Sequence, residues 1–208
     1  PTPIVRPRAL CDALGLGGRG IDLWVKRDDV TGGAEAGNKI RKLELLLADA
    51  VRREATMLVT CGGLQSNHAR ATALVGAQLG LRATLLLRTT EVDAPLPVSG
   101  NVLLDRLAGA TIRLITPAQY RERAALMAEV AAELAAQGER PYVIPEGGSN
   151  GLGSLGYVVC MQELRAQLDA GLAGADPFDV IVHACGSGGT AAGVALGAAR
   201  YETAKAVW

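Results

Sequence analysis

The chain has 208 residues, with 21 basic against 21 acidic side chains and a formal net charge of zero, which excludes the electrostatic footprint of a nucleic-acid or anionic-membrane binder. Its 49% hydrophobic and 20% charged composition is that of a globular core and excludes a disordered chain; the length fits one long domain or two small ones. The longest apolar stretches, 83–87 and 191–199, fall short of the ~20 residues a hydrocarbon core needs, so no membrane span is expected.

Short β-branched or apolar runs alternate with longer helix-period segments, which is the pattern of repeated βα units and predicts an α/β fold with a parallel sheet. Strands are predicted at 23–26, 57–60, 84–87, 112–115, 142–144 and 180–183, and helices at about 38–53, 66–79, 100–108, 119–136, 154–170 and 190–199. In the first helix Ile40, Leu43, Leu46 and Leu47 share an apolar face, with Arg41, Glu44 and Arg52 off it, so one side is expected to pack on a sheet. The segment 89–100, carrying Pro95 and Pro97, is long enough to move. The run 205–208 has the pattern of a strand opening, so the chain is read as ending inside an element, as a fragment or truncated product would. Its start carries neither Met nor a basic-plus-apolar leader, and the expectation is a trimmed start without a secretion signal. Cys11, Cys61, Cys160 and Cys185 form no C-x-x-C pair, and neither His68 nor His183 has a partner ligand at metal spacing. A cytoplasmic protein without a structural metal is the expectation.

Three Gly-rich turns open helices. Gly37-Asn38-Lys39-Ile40-Arg41-Lys42 puts Lys39 and Lys42 on one face near a helix N-terminus, where the dipole penalises cations. A paired phosphate, or a neutral lysine bound as an imine, removes that conflict; two solvated lysines flanking an amphipathic helix are the plainer alternative. Gly62-Gly63-Leu64-Gln65-Ser66-Asn67-His68 follows a strand and can hold a carboxylate, or can supply no more than an N-cap from Ser66 or Asn67. A Ser-His hydrolase is disfavoured there, because no G-x-S-x-G elbow is present and residues two apart on a helix face different ways. Gly186-Ser187-Gly188-Gly189-Thr190 also follows a strand and aims backbone N–H groups at one point, an anion cup. Its spacing is neither G-x-G-x-x-G nor that of a triphosphate loop, so a phosphate monoester suits it better, with a plain β-to-α turn left open.

Taken together, in order and spacing, these segments resemble the pyridoxal-phosphate enzymes of the D-cysteine desulfhydrase and 1-aminocyclopropane-1-carboxylate deaminase family. The resemblance runs over nearly the whole chain. It includes Pro1-Thr2-Pro3-Ile4, Val25-Lys26-Arg27-Asp28-Asp29, the run from Gly37 to Glu44, Gly62 to Arg70, and Tyr142 to Asn150 with Gly153 and Gly156 beyond. The family resemblance implies the fold of the tryptophan synthase β-subunit class (fold type II), with a small α/β domain at 43–145 inserted in a large domain made of 1–42 and 146–208, the large domain incomplete. By resemblance, Lys39 stands at the Schiff-base lysine, and Asn67 at an asparagine that contacts the cofactor's 3-hydroxyl. Ser66 stands at a serine that contacts substrate and relays a proton. Ser187, Gly188, Gly189 and Thr190 match the phosphate loop, with Lys42 near enough to help, and Gln65, Ser66, Asn67 and His68 form the substrate-binding run. Ala36 departs from the usual second glycine before the Asn-Lys pair, a change that narrows the turn without abolishing it. The family's C-terminal part, which carries the partner of the pyridine nitrogen and the groups separating desulfhydrases from deaminases, lies beyond Trp208.

The resemblance implies a pyridoxal 5'-phosphate-dependent lyase that eliminates a β-substituent from a small amino acid, D-cysteine first, giving pyruvate, ammonia and sulfide. His68 and Gly148-Ser149-Asn150 resemble the desulfhydrase branch. The alternatives are 1-aminocyclopropane-1-carboxylate deamination, cysteate or β-chloroalanine elimination, and a cofactor-binding remnant without catalysis. A homodimer is the expected assembly. A nucleotide-binding Rossmann domain fits less well, since the Gly-rich turn comes late and no acidic residue follows it by ~20 positions.

Overall fold

The computed structural model describes residues 1–208. In chain order the elements are β1 (Ile4–Val5), α1 (Arg8–Ala13), β2 (Val25–Lys26), α2 (Lys39–Arg52), β3 (Met57–Gly63), α3 (Asn67–Gln78), β4 (Arg82–Arg88), α4 (Gly100–Leu107), β5 (Thr111–Ile115), α5 (Pro117–Arg121), α6 (Arg123–Ala136), β6 (Pro141–Val143), α7 (Gly151–Asp169), β7 (Phe178–Ile181), α8 (Gly189–Tyr201) and β8 (Ala204–Val207). Short 3₁₀ turns lie at Gly17–Arg19, Asp28–Val30 and Glu146–Gly148.

β3, β4, β5 and β6 form one parallel sheet in the order β5-β4-β3-β6. β3 is apolar or small nearly throughout, as a strand covered on both faces must be. Alternation along the strands sorts two cores. Leu58, Ala83, Leu85 and Leu87 meet Leu43, Leu46, Leu47 and Ala50 of α2, the alanines of α3 and Val102 of α4. Met57, Val59, Cys61 and Leu86 face the other way, onto Met127, Val130 and Leu134 of α6. The chain adds β4 and β5 on one side of β3 and then crosses back to lay β6 on the other. That reversal makes the carboxyl ends of β3 and β6 a topological switch point, where open α/β sheets leave a crevice for ligands.

The third core joins α7 and α8 through Tyr157, Cys160, Met161, Leu164, Val194 and Ala198, with β7 and β8 packed alongside. β7 and β8 pair in parallel, so the strand predicted at the end of the chain is present, while β1 and β2 form a separate antiparallel pair. α2 connects the regions because it crosses α7 with the backbones nearly touching. A Cβ on Gly156 would lie 1.9 Å from the Arg41 carbonyl oxygen, so only glycine admits this approach.

Several predicted boundaries move for identifiable reasons. The helix expected at 119–136 is two helices broken at Glu122. The first opens at Pro117 on a capping box in which Thr116 and Gln119 each satisfy the other's backbone N–H. The helix expected at 154–170 starts at Gly151, since Asn150 accepts from Gly153 N and caps it. The strand expected at 180–183 is shifted to Phe178–Ile181, and that at 23–26 is shortened to Val25–Lys26. β1 and α1 were not foreseen, being too short to show a period. α2 does not pack on one side only: Arg41, off the apolar face, is 7% exposed and Lys42 1%.

Asp105 of α4 is fully buried and neither of its carboxylate oxygens has a partner. Burial pushes its carboxyl up to about 7, against the pull of the Arg70 charge. A folded-state pKa above the unfolded one means stability that is complete below about pH 4 and is lost as pH rises through about 7. Asp105→Asn is expected to remove that loss, so that the gap between variant and parent opens by about 2–4 kcal/mol on going from acid to mildly alkaline pH. Urea unfolding midpoints across that range check it; a parent midpoint that does not fall would rule it out.

Candidate active site

α8 opens at Gly188, and no side chain caps its first turn. Ser66, Thr116 and Asn150 cap α3, α5 and α7, whereas α1, α2, α4 and α6, like α8, have no side-chain cap, so it is the cavity at its start that sets α8 apart. A thirteen-residue helix left uncapped presents unpaired N–H donors and the positive end of its dipole. These donors face a cavity of 240 Å³ lined by Asn38, Lys39, Lys42, Cys185, Gly186, Ser187, Gly188 and Thr190, among others. Two lysines from the start of α2 and the Gly-rich turn before α8, 147 residues downstream of Lys39, thus share one small space.

The lysines differ. Lys39 is half-buried, its Nζ 3.3 Å from Asn38 Oδ1, and burial lowers its pKa. Lys42 lies inside the protein, donating to the Gly147 carbonyl and to Ser149 Oγ, both at 3.1 Å. Burial first, and then the Lys39 charge, bring its pKa down to about 8. The reading of two solvated lysines is therefore wrong for Lys42. Ser149 Oγ lies 2.6 Å from Ser187 Oγ, so Lys42, Ser149 and the Gly-rich turn form one chain of contacts. Two cations and a helix N-terminus around one cavity are mutually repulsive until an anion enters, and a phosphate monoester fits that need.

The start of α2 is held from behind. Tyr157 Oη lies 3.2 Å from the Asn38 carbonyl oxygen and 3.1 Å from Asp28 Oδ2. Arg70 Nη2 donates to the Ala36 carbonyl at 2.6 Å, so the turn in which Ala36 departs from the family pattern is fastened to α3.

Of the residues singled out in the sequence, Lys39, Lys42, Ser187, Gly188 and Thr190 line the cavity together. Gly189 is outside that lining, close enough to Ser149 that a Cβ on it would sit 2.6 Å from the serine Oγ. Gln65, Ser66 and Asn67 stand on the turn after β3, at the switch-point crevice, outside that cavity lining. Ser66 Oγ accepts from Ala69 N at 3.2 Å as the cap of α3. Asn67 is exposed and accepts at Oδ1 from Asn101 Nδ2 at 2.9 Å, and Gln65 Oε1 accepts from Asn101 N at 2.7 Å.

His68, expected with them against the substrate, is turned inward instead and is 3% exposed. Its Nε2 lies 2.9 Å from Thr60 Oγ1, and that hydroxyl gives its single proton to the Ile144 carbonyl at 2.8 Å, so Nε2 is the donor of the pair. Burial, then the charges of Lys39 and Lys42, push the ring pKa down to about 3 and keep it neutral. His68 thereby ties β3 to the segment after β6. Ser149 and Asn101 were missed as site residues, because each acts through a neighbour distant in sequence.

The sequence profile of the family described as "Pyridoxal-phosphate dependent enzyme" matches residues 1–207. The chain belongs to this family. Within the family it is 46% identical over 182 residues to the bifunctional D-cysteine desulfhydrase/1-aminocyclopropane-1-carboxylate deaminase of Arabidopsis thaliana, a match covering 86% of this chain and 45% of the plant protein. It is 44% identical over 199 residues to a D-cysteine desulfhydrase of Yersinia pestis (strain Pestoides F), over 94% of this chain and 57% of the relative. A solved ACC deaminase homologue superposes with a TM-score of 0.82 at 41% identity, covering 95% of this chain and 56% of its own. A solved threonine deaminase, with a TM-score of 0.69 and 23% identity over 99% of this chain and 57% of its own, shares the fold. The chain spans about half the length of these relatives. The α/β fold implied by the family resemblance is borne out, and pyridoxal phosphate is the family's cofactor.

Proposed function

We propose that this chain contributes to a lyase that eliminates the β-substituent of a small amino acid, with D-cysteine and water giving pyruvate, ammonia and sulfide. The observation that carries the reading is the single cavity shared by Lys39, Lys42 and the uncapped N-terminus of α8. The residues fit pyridoxal phosphate: an anion cup for the phosphate, a desolvated lysine amine beside it, and a second buried cation. When bound, that cofactor supplies an electron sink for the amino acid's Cα.

Lys39 Nζ would hold the cofactor covalently and would accept the Cα proton of the substrate; burial lowers its pKa, which favours the neutral amine both tasks need. Lys42, Ser187, Gly188 and Thr190, which line the cavity, and Gly189 beside them would hold the phosphate, with Ser149 in contact with Ser187. Ser66 and Asn67, at the N-terminus of α3, would orient substrate and cofactor oxygen, and Gln65 ties the same turn to α4. Deamination of 1-aminocyclopropane-1-carboxylate is the second reading, since the plant relative is described as carrying out both reactions.

Residues 43–145 are read as the inserted small domain, and 1–42 with 146–208 as the large one. The four-stranded sheet falls wholly inside the first segment and the β1-β2 and β7-β8 pairs inside the second. All four cysteines are free thiols, which suits a reducing cytoplasm, and a homodimer is the assembly to look for by sedimentation.

Borohydride reduction of the chain loaded with pyridoxal phosphate, followed by peptide mapping, is expected to place the label on Lys39. Label on Lys42 or Lys26 would overturn the assignment. Release of pyruvate from D-cysteine then tests the reaction, with the D- and L-isomers compared side by side.

A further inference from the structure

We infer that Asn101 is a positioning residue that turns the Asn67 amide so that its N–H groups, and not its oxygen, point into the cleft. The inference rests on the reading of Asn67 as a contact to the cofactor's ring oxygen, and deepens it. The chain of reasoning begins at Arg70, whose guanidinium has donors and no acceptor. Arg70 Nη1 approaches Asn101 Oδ1 at 3.4 Å while Nη2 holds the Ala36 carbonyl. An arginine can satisfy only the oxygen end of an amide, so Asn101 Nδ2 is turned away from it. That nitrogen donates to the Gln65 carbonyl at 2.8 Å and to Asn67 Oδ1 at 2.9 Å. With its oxygen already accepting, Asn67 has its nitrogen left for a ligand, and a primary amide nitrogen only donates.

The relay runs one way, from Arg70 through Asn101 to Asn67. Its origin also grips the backbone three residues before Lys39, so one side chain registers the lysine against the asparagine amide. The approach of α4 to the turn after β3 is built in as well. Asn101 N donates to Gln65 Oε1 at 2.7 Å, and Gly100 adopts φ +59° at a place where a Cβ would lie 2.5 Å from that same oxygen. An asparagine amide without such a neighbour can present either end, and half of its turns would set an oxygen against an oxygen.

Pyridoxal phosphate is the probe, read by the pH midpoint of its visible absorbance when bound to the full chain. An N–H donor to the ring oxygen stabilises its anion and lowers that midpoint. Asn67→Ala, which removes the donor, is expected to raise the midpoint by about one unit. Asn101→Asp still pairs with Arg70 but sets a carboxylate oxygen against Asn67 Oδ1, so it is expected to raise the midpoint as far. Asn101→Ala, which frees Asn67 to take either orientation, is expected to raise it by less. In all three, borohydride still labels Lys39, and Asn101→Asp keeps its melting temperature within a few degrees of the parent. A midpoint shifted by Asn67→Ala but by neither Asn101 variant overturns the relay and leaves the site reading intact. No uptake of the cofactor by the parent, or an unmoved midpoint in Asn67→Ala, overturns the site reading and the relay with it.

Discussion

Arg41→Met is expected to destabilise the chain by about 3–5 kcal/mol, the range for removing one partner from a buried ionic cluster. Arg41 forks onto Asp28, with Nε and Nη2 each 2.8 Å from a carboxylate oxygen, and reaches Glu163 Oε2 through Nη1 at 3.1 Å. Nη2 also lies 2.8 Å from Thr2 Oγ1, and Lys26 closes the ring by pairing with Glu163. Two cations balance two carboxylates whose side chains are 16% and 15% exposed, so methionine leaves one negative charge in excess with little water to solvate it. The cluster joins the first residues of the chain, α2 and α7, and its loss loosens the end of α2 that carries Lys39.

The acid side of the same cluster supplies a check. Burial alone would raise the Glu163 carboxyl, but hydrogen bonds from Arg41, Lys26 and Thr2 N outweigh it and hold the pKa down to about 2. A depressed carboxylate pKa gives stability that is complete above the unfolded value near 4.3 and is lost as pH falls toward about 2. In Arg41→Met that acid limb is expected to flatten. Urea midpoints at neutral pH and near pH 3 measure both effects; a variant with the parent's midpoint at neutral pH would show that the cluster contributes nothing.

This cluster also marks where sequence reasoning stops. Periodicity places Leu43, Leu46 and Leu47 on the core face of α2 because that information is local to the helix. It puts Arg41 off that face and has no means of seeing Glu163, 122 positions away, which is what buries it. The three Gly-rich turns are legible because chain reversal and helix opening need specific residue types within a few positions. They supply Lys39, Lys42 and the cup at Ser187 to Thr190, and the fold then brings these into one cavity.

The run Gln65-Ser66-Asn67-His68 shows the opposite limit. Four adjacent polar residues read as one binding stretch, yet the helix that begins at Asn67 turns its second residue into the core, toward Thr60. The helical rotation that separates Ser66 from His68 speaks against a hydrolase and equally against a shared substrate surface. The capping box at Thr116 and Gln119 was likewise available from spacing alone. Asn101 carries no such mark, since it is defined by what it touches across the fold, and Ser149 stands out only as part of the Gly148-Ser149-Asn150 resemblance, without its contact to Lys42.

In a protein extended to the full length of the relatives, Ser66→Ala is expected to lower turnover by roughly 10²- to 10⁴-fold while pyridoxal phosphate still binds, the range for a positioned acid–base or carboxylate-orienting group. Ser66 stands at the switch-point end of β3, next to Asn67, where the positive end of the α3 dipole favours a substrate carboxylate. Its hydroxyl already accepts from Ala69 N at 3.2 Å, and an acceptor used at its lone pair keeps its proton free to donate to an anion. Capping and substrate contact are therefore compatible at this oxygen, and the two contributions separate by measurement. Loss of the cap alone costs about 1 kcal/mol of stability and leaves the rate unchanged. Loss of the substrate contact lowers the rate far beyond what that stability change explains. Melting temperature, cofactor absorbance and turnover taken on one preparation decide the matter: a variant that melts earlier but releases pyruvate at the parental rate leaves Ser66 as a helix cap and nothing more.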